Sequence, residues 1–482
     1  MTGLDLRPLV PALLVAITGL VVLLAQAFTH RGKRSPSAPL SLAGLLAALA
    51  AVGIMAAGRG RGAVLADTVA ADDFSLFFHA LILAIAVLAV LFSPSYLRAT
   101  GIDRGEYYAL LLFSVVGMLG LVSCLELVSL FVALEIMSVA VYAMAGLHRD
   151  RAESREASMK YFITGSFSSA FFLYGVALLY GTSGSTWLAR IAPTLNATEG
   201  SAGLGVLGVA LLLVGFGFKV ASVPFHMWVP DVYEGAPTTV TALMSAGVKA
   251  AAFGAFLRVF LVPLSALADQ WRPAVAVLAV VTMIVGNLGA LAQSNLKRLL
   301  AYSSIAHAGY LLAALVAAPA VAAEAVLFYL VAYAAVNLGG FGALAALANR
   351  EGREPLSTDD LAGLAERRPV LAAALTVFLV SLTGVPVSAG FVGKFYLFNA
   401  AVSAGYAALA VVGVLMSVVS AYYYLKVVVV MYMREPIAED RWAPVNGAAS
   451  LALALSTAVV LGLGVHPGPV LGWARLAAQS LR

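Results

Sequence analysis

The sequence predicts an all-α polytopic membrane protein of about 14 transmembrane helices, and three observations carry that prediction. Hydrophobic residues make up 62% of the 482 and charged residues only 11%, against about 25% charged in a soluble chain. Apolar runs of eighteen or more residues recur along the whole length, each long enough to cross a hydrocarbon layer of about 30 Å as a helix. Lys and Arg alternate between rich and poor connections, as the retention of positive charge on the cytoplasmic side requires. No mixed-composition stretch longer than about thirty residues is left in which a soluble catalytic domain could fold.

Taken in order, apolar runs bounded by charge, Pro and Gly place spans at 9–28, 40–57, 75–93, 107–123, 125–147, 159–180 and 204–222. The remaining seven fall at 238–262, 273–293, 298–317, 321–348, 370–392, 396–432 and 447–465. The first run follows only Asp5 and Arg7 and lacks a convincing cleavage site, so it reads as a retained span and not as a leader. Connections after odd-numbered spans hold seventeen Lys and Arg, from Arg31, Lys33 and Arg34 to Arg350, Arg353 and Arg441. The termini and even connections hold seven, so both termini are expected on the non-cytoplasmic side.

Composition also narrows the chemistry. Cys124 is the only cysteine, so the chain alone cannot ligate an iron-sulfur cluster or a four-cysteine zinc, and Cys124 reads as a small buried hydrophobe. The net charge of +5 is spread singly among loops, which argues for topology signals and against a nucleic-acid face. Gly58 to Gly62 lacks the strand-to-helix setting of a nucleotide loop, and no His or Cys spacing points to a metal.

Two spans about 160 residues apart are each interrupted by Gly and Pro and carry a lysine: Gly215 to Pro224 with Lys219, and Gly384 to Lys394. Paired broken helices are a pointer to a transport site built from inverted repeats. Five basic residues lie deep within spans, namely Lys219, Lys249, Arg258, Lys394 and Lys426; four are lysine, whereas the other twenty-four basic positions hold twenty-one arginines. Lysine can lose its proton when buried and arginine cannot, so the reversed preference suits a relay. Lys249, about 15 Å into the eighth span, sits at mid-bilayer. Lys426 and Arg258 are close enough to span ends to snorkel to the interface.

Glu126 and Glu135 stand nine residues apart in the fifth span, on opposite faces and about 13 Å apart along the axis. Glu135 is the deeper and calls for a lysine partner from a neighbouring span, while Glu126 reads as interfacial. His226, seven residues after Lys219, would share its face on an unbroken helix. His307 lies in Tyr302-Ser-Ser-Ile-Ala-His307, placed to bridge the two halves, and His79 reads as a packing residue.

The stretch Phe218-Lys219-Val-Ala-Ser-Val-Pro224-Phe-His226-Met-Trp-Val-Pro230-Asp231-Val-Tyr-Glu234 resembles the antiporter-like subunits of complex I and of multisubunit Na+/H+ antiporters. Ser245 to Ala252, Asn295 to Tyr310 and Gly390-Phe-Val-Gly-Lys394-Phe-Tyr396 narrow the resemblance to the subunit N family of bacterial NADH-quinone oxidoreductase. The likeness runs from the fourth span to the thirteenth. It implies a 14-helix subunit with two inverted five-helix repeats and broken helices 7 and 12. The corresponding units are an N-terminal segment 1–100, repeats at 105–265 and 270–432, and a C-terminal helix with tail at 445–482. Glu135, Lys219, Lys249 and Lys394 match the family's relay residues, with His226, Lys297 and His307 as secondary candidates. Lys394, where sister subunits often have glutamate, and the short C-terminus favour subunit N.

The resemblance further implies proton translocation in the bacterial inner membrane beside other membrane-arm subunits. NADH, FMN, iron-sulfur clusters and quinone would belong to partner subunits. Two other readings stay open: a subunit of a cation/proton antiporter, and a membrane scaffold whose lysines only stabilise packing.

Overall fold

The computed structural model describes residues 5–29, 35–59, 64–65, 68–197, 202–348, 354–436 and 445–481. Arg31, Lys33, Arg34, Arg61, Arg350, Arg353, Arg441 and Arg482, which enter the charge count, and part of the Gly58 to Gly62 run lie outside these residues. The described chain is almost entirely helical. It begins with α1 (Val10–Ala27) and α2 (Ser37–Ile54), followed by a two-residue antiparallel ribbon of β1 (Val64–Leu65) and β2 (Val69–Ala70). Then come α3 (Asp73–Ala99), α4 (Gly105–Ser123), α5 (Leu127–Ala145), α6 (Ala152–Ser183) and a short α7 (Leu188–Ala197).

The seventh expected span, 204–222, is α8 (Ala202–Val220), and after a break the chain resumes as α9 (Trp228–Gly235). The eighth is α10 (Thr238–Leu243), a wide turn at Met244–Val248, and α11 (Lys249–Leu261). α12 (Ala268–Leu291), α13 (Leu296–Ala314) and α14 (Pro319–Ala346) follow, with a small α15 (Leu364–Arg367) after them. The chain ends in α16 (Pro369–Thr383), α17 (Ala389–Ser403), α18 (Ala407–Met433), α19 (Gly447–Val465) and α20 (Gly468–Gln479).

Twelve helices among the described residues are long and apolar enough to cross a membrane. α13 is not among them because Lys297, Arg298, Ser303, Ser304 and His307 lower its hydropathy, and α16 is short and apolar because an interruption divides it from α17. That interruption falls where Gly384 and Pro386 mark a broken helix; what is corrected is the division between the expected spans 370–392 and 396–432. Gly384, left-handed at φ +90°, ends α16, Ser388 caps α17 through Phe391 N, and Gly405 at φ +84° separates α17 from α18. Residues 396–403 therefore continue the helix of Lys394, and the thirteenth span starts only after Gly405. α20 was not anticipated; Pro467 and Pro469, which favour a helix start, were its only signal.

Other helix starts follow from side chains that satisfy the free amides of the first turn. Asp72 caps α3, Asn295 caps α13 and Asn446 caps α19. Glu126, expected at an interface, is the cap of α5, accepting Val128 N at 2.9 Å and Ser129 N at 2.6 Å. Two helix pairs pack backbone to backbone: a Cβ on Gly117 of α4 would lie 2.3 Å from Met137 N of α5, and one on Gly286 of α12 only 2.4 Å from Ala306 N of α13.

The connections sort onto two faces. Arg298, at the start of α13, holds Asp231 and Glu234 of α9 at 2.8 Å each, Lys160 of α6 reaches Asp231 at 2.6 Å, and Asn295 pairs with Ser357. These are all connections or ends after odd-numbered spans. On the other face the ribbon meets Cys124, Glu126 meets Trp187, and Arg475 of α20 binds Glu324 of α14 at 3.0 Å. Between the faces, the stretch from α10 to α11 is wholly buried, with α3, α4, α8 and α14 around it.

Candidate functional site

Three of the four deep lysines are almost inaccessible: Lys219 and Lys394 at 4% exposure, Lys249 at 2%. None of the three has a carboxylate within ion-pair distance among the described residues. Their partners are hydroxyls, carbonyls and aromatic faces.

Lys219 closes α8, where the backbone turns away from the helix at Ala221, φ +67°. Its Nζ donates to Ser138 Oγ at 2.7 Å and Tyr142 OH at 3.1 Å, both on α5, and lies 5.4 Å from the Tyr142 ring. Glu135, one turn before Ser138, accepts from Ser169 Oγ of α6 at 2.5 Å. Glu135 is thus one turn of α5 from the serine that binds Lys219, but the pairing expected between Glu135 and Lys219 is not a contact ion pair among the described residues. Backbone groups freed by the break are satisfied again, as a buried interruption requires: Ser222 N binds Gly217 O at 2.8 Å and Val223 N binds Thr282 Oγ1 at 3.0 Å.

His226 is corrected. The helix stops six residues before it, so the shared face with Lys219 does not exist, and His226 sits half-exposed in the turn leading to α9 with no hydrogen bond to Lys219.

Lys249 occupies the end of the wide turn on the fully buried helix. Its Nζ donates to Ser304 O and Ser304 Oγ, both at 2.6 Å, and lies 5.2 Å from the Tyr333 ring. Tyr333 OH in turn donates to Ser304 Oγ at 2.8 Å. His307, one turn further along α13, places its ring 5.5 Å from that of Tyr333 and 5.2 Å from that of Tyr310. Its Nδ1 bonds Tyr329 OH and its Nε2 lies 3.2 Å from Tyr424 OH, which also bonds Ser303.

Lys394 ends the row. Its Nζ lies 4.8 Å from the Tyr310 ring and donates to Leu382 O at 2.8 Å and Thr383 O at 3.0 Å, the last carbonyls of α16. A cation at a helix C-terminus is favoured by the helix dipole. Close approach there requires glycine: a Cβ on Gly390 would sit 1.8 Å from Ser381 O. Lys249, Tyr333, His307, Tyr310 and Lys394 therefore form one continuous row in which every neighbour is in contact. Between Lys219 and Lys249 the described contacts are instead aromatic, through Phe218, Trp228 and Tyr233.

Of the remaining candidates, Lys297 is buried in the first turn of α13, two turns from Ser304 and at the odd face. Lys426 is exposed, in keeping with snorkelling. Arg258 is not: it is fully buried, and its guanidinium holds both oxygens of Asp72 at 2.8 and 2.9 Å. Asp72 lies outside the apolar runs, so nothing in the span pattern marked it as a partner. His79 packs as expected, on Ser123 Oγ at 2.7 Å and Leu119 O at 3.1 Å, and Cys124 is buried. The tyrosines of the row escaped the sequence reading, although Tyr329 and Tyr333, four residues apart, already shared a helix face with no apolar reason to do so.

Comparison with known proteins gives the family of the chain. Residues 124–420 match the family described as NADH:quinone oxidoreductase/Mrp antiporter, transmembrane region. The chain is 43% identical over 486 residues to NADH-quinone oxidoreductase subunit N of Trichlorobacter lovleyi, covering 99% of this chain and 98% of that one. Among solved structures it resembles a chain of respiratory complex I from Thermus thermophilus, with a TM-score of 0.82 and 36% identity over 96% of this chain and 98% of that one. A chain of the Mrp complex from Dietzia shares the fold, with a TM-score of 0.84 at 23% identity over 99% and 98%. The chain belongs to the subunit N family of NADH-quinone oxidoreductases, the antiporter-like membrane subunits of respiratory complex I.

Proposed function

We propose that this chain, as a membrane-arm subunit of NADH-quinone oxidoreductase, carries protons across the membrane along the row from Lys249 through His307 to Lys394. The observation that supports this reading is the continuity of that row together with the neutrality of its partners. A lysine whose neighbours are hydroxyls and carbonyls can release its proton without leaving a stranded carboxylate. Within the row His307 meets Tyr333 and Tyr310 through ring contacts, and its two ring nitrogens bond two further hydroxyls, Tyr329 and Tyr424, so it can take a proton from one and pass it to the other. Lys219, with Glu135 a turn beyond Ser138, forms a second loading point whose charge Glu135 adjusts. Oxidation of NADH and reduction of quinone belong to partner subunits, which hold FMN and the iron-sulfur clusters.

The architecture we assign is fourteen spans in the bacterial inner membrane, α13 and the divided α16 and α17 included, with both termini outside the cytoplasm. The two repeats are 105–265 and 270–432, flanked by 1–100 and 445–482. Matching glycine contacts between α4 and α5 and between α12 and α13, and an interrupted helix beside a lysine in each half, support the repeat.

Affinity purification of the tagged chain from membranes tests the assignment. It should bring down flavin- and cluster-bearing subunits, and NADH should drive proton uptake into inside-out vesicles without added sodium. Recovery with cation-antiporter subunits alone would contradict it. A reporter at the C-terminus should be inactive on the cytoplasmic side, and one after α14 active there; both on one side would undo the span count.

A further inference from the structure

Glu354 enters the interior from the connection between α14 and α15, and its contacts come from four other parts of the chain. Its side chain is 4% exposed. Oε1 accepts the hydroxyl of Tyr96, near the end of α3, and lies 3.7 Å from Arg151 Nη1 at the start of α6. Oε2 accepts the hydroxyl of Thr238, in the first turn of α10, and lies 3.5 Å from Lys297 Nζ. Tyr96 OH also accepts Thr238 N at 2.9 Å, and Lys297 Nζ donates to Ala236 O at 2.7 Å. Burial works to raise the pKa of Glu354, but the Lys297 ammonium, the two hydroxyls and Arg151 outweigh it and hold the carboxyl below its ordinary value.

Lys297 needs this carboxylate. It is 3% exposed and stands in the first turn of α13, where the helix dipole disfavours a cation. Without Glu354 its charge would be buried against the Ala236 carbonyl and the like charge of Arg151, with only the weaker pull of Glu234 to oppose it. The pair also stands at the head of a polar series. Thr238, Thr241 and Ser245 precede Lys249 at spacings of three and four residues, the last step crossing the wide turn at Met244–Val248. On α13, Lys297 precedes Ser304, the acceptor of Lys249, by seven residues, about 10 Å along the same face.

We infer that Glu354 is a positioning residue for proton translocation: it holds Lys297 charged and in place at the odd-face end of the series, and so sets the charge met by a proton travelling between that face and Lys249. The inference rests on the relay reading of Lys249, and Glu354 acts through Lys297.

The experiment uses the whole complex in membrane vesicles, with assembly read on native gels and NADH-driven proton uptake and quinone reduction measured together. Glu354→Gln should lower both rates about fivefold or more while the complex stays assembled, and Glu354→Asp should recover about half of the loss. In a Lys297→Gln background, Glu354→Gln should change the rates by less than about twofold, because residues acting as a unit are not additive. If Glu354→Gln alone leaves little assembled complex, the Glu354→Gln/Lys297→Gln pair should assemble again, since the lone buried charge is gone. The inference is overturned by an assembled Glu354→Gln complex working at the normal rate, by losses that multiply in the double variant, by Glu354→Asp no better than Glu354→Gln, or by a double variant that does not assemble. Lys249→Met in the same vesicles separates the two readings. Normal pumping there defeats the relay, whereas normal pumping by Glu354→Gln beside an inactive Lys249→Met defeats only the role of Glu354.

Discussion

Lys249 and Arg258 share one helix, nine residues apart, and both are buried to within 2% of complete inaccessibility. Their surroundings differ in kind. Arg258 meets both oxygens of Asp72, the Val122 carbonyl at 3.2 Å and the Ser75 hydroxyl at 3.0 Å, over the face of Phe74. Lys249 meets one serine and one tyrosine. The first is a permanent charge with a permanent counter-charge; the second is a charge that its site can do without. On the proposed reading, two buried cations on one helix divide the work, one tying α3 to α11 and the other available for exchange, and the choice of arginine or lysine follows the partner.

The largest expected effect comes from breaking the permanent pair. Arg258→Leu or Asp72→Asn alone should cost about 3–5 kcal/mol by stranding the other charge, and the assembled complex should nearly disappear on native gels, while the Arg258→Leu/Asp72→Leu double variant should recover part of it. Next, Lys394→Met should leave assembly intact and lower NADH-driven proton uptake by about tenfold or more, since it removes the end of the row. If Lys394→Met instead behaves like Arg258→Leu, with lost assembly, the division between the two kinds of cation fails.

Smaller effects sharpen the contrast among the acids. Glu135→Gln should slow pumping several-fold, whereas Glu126→Gln, which alters only the cap of α5, should cost about 1 kcal/mol of stability and leave the rate of the assembled complex near normal. Comparable rates in the two variants would remove Glu135 from the site. Lys426→Gln, at the surface of α18, should change neither rate nor assembly.

Much of this was legible in the sequence because the bilayer leaves few options: a run of apolar residues must be a helix, and a lysine inside one must have a reason. Lys219, Lys249, Lys394 and His307 were all visible on that ground. What escaped were partners that carry no signal of their own. Asp72 and Glu354 look like ordinary loop acids until the fold buries them, and Tyr310, Tyr329 and Tyr333 look like membrane aromatics. The turn between α16 and α17, in contrast, was marked by Gly384 and Pro386. For His226 the condition of an unbroken helix is not met, since α8 ends at Val220.

The measurement that bears most directly on the central claim is proton uptake by vesicles carrying Lys249→Arg, with assembly checked on native gels. Arginine keeps the charge and most of the length but does not deprotonate. The complex should therefore assemble normally and yet pump and reduce quinone as poorly as Lys249→Ala. An arginine variant that pumps near the normal rate would contradict the account, because Lys249 would then be a second Arg258, a fixed charge and not a relay.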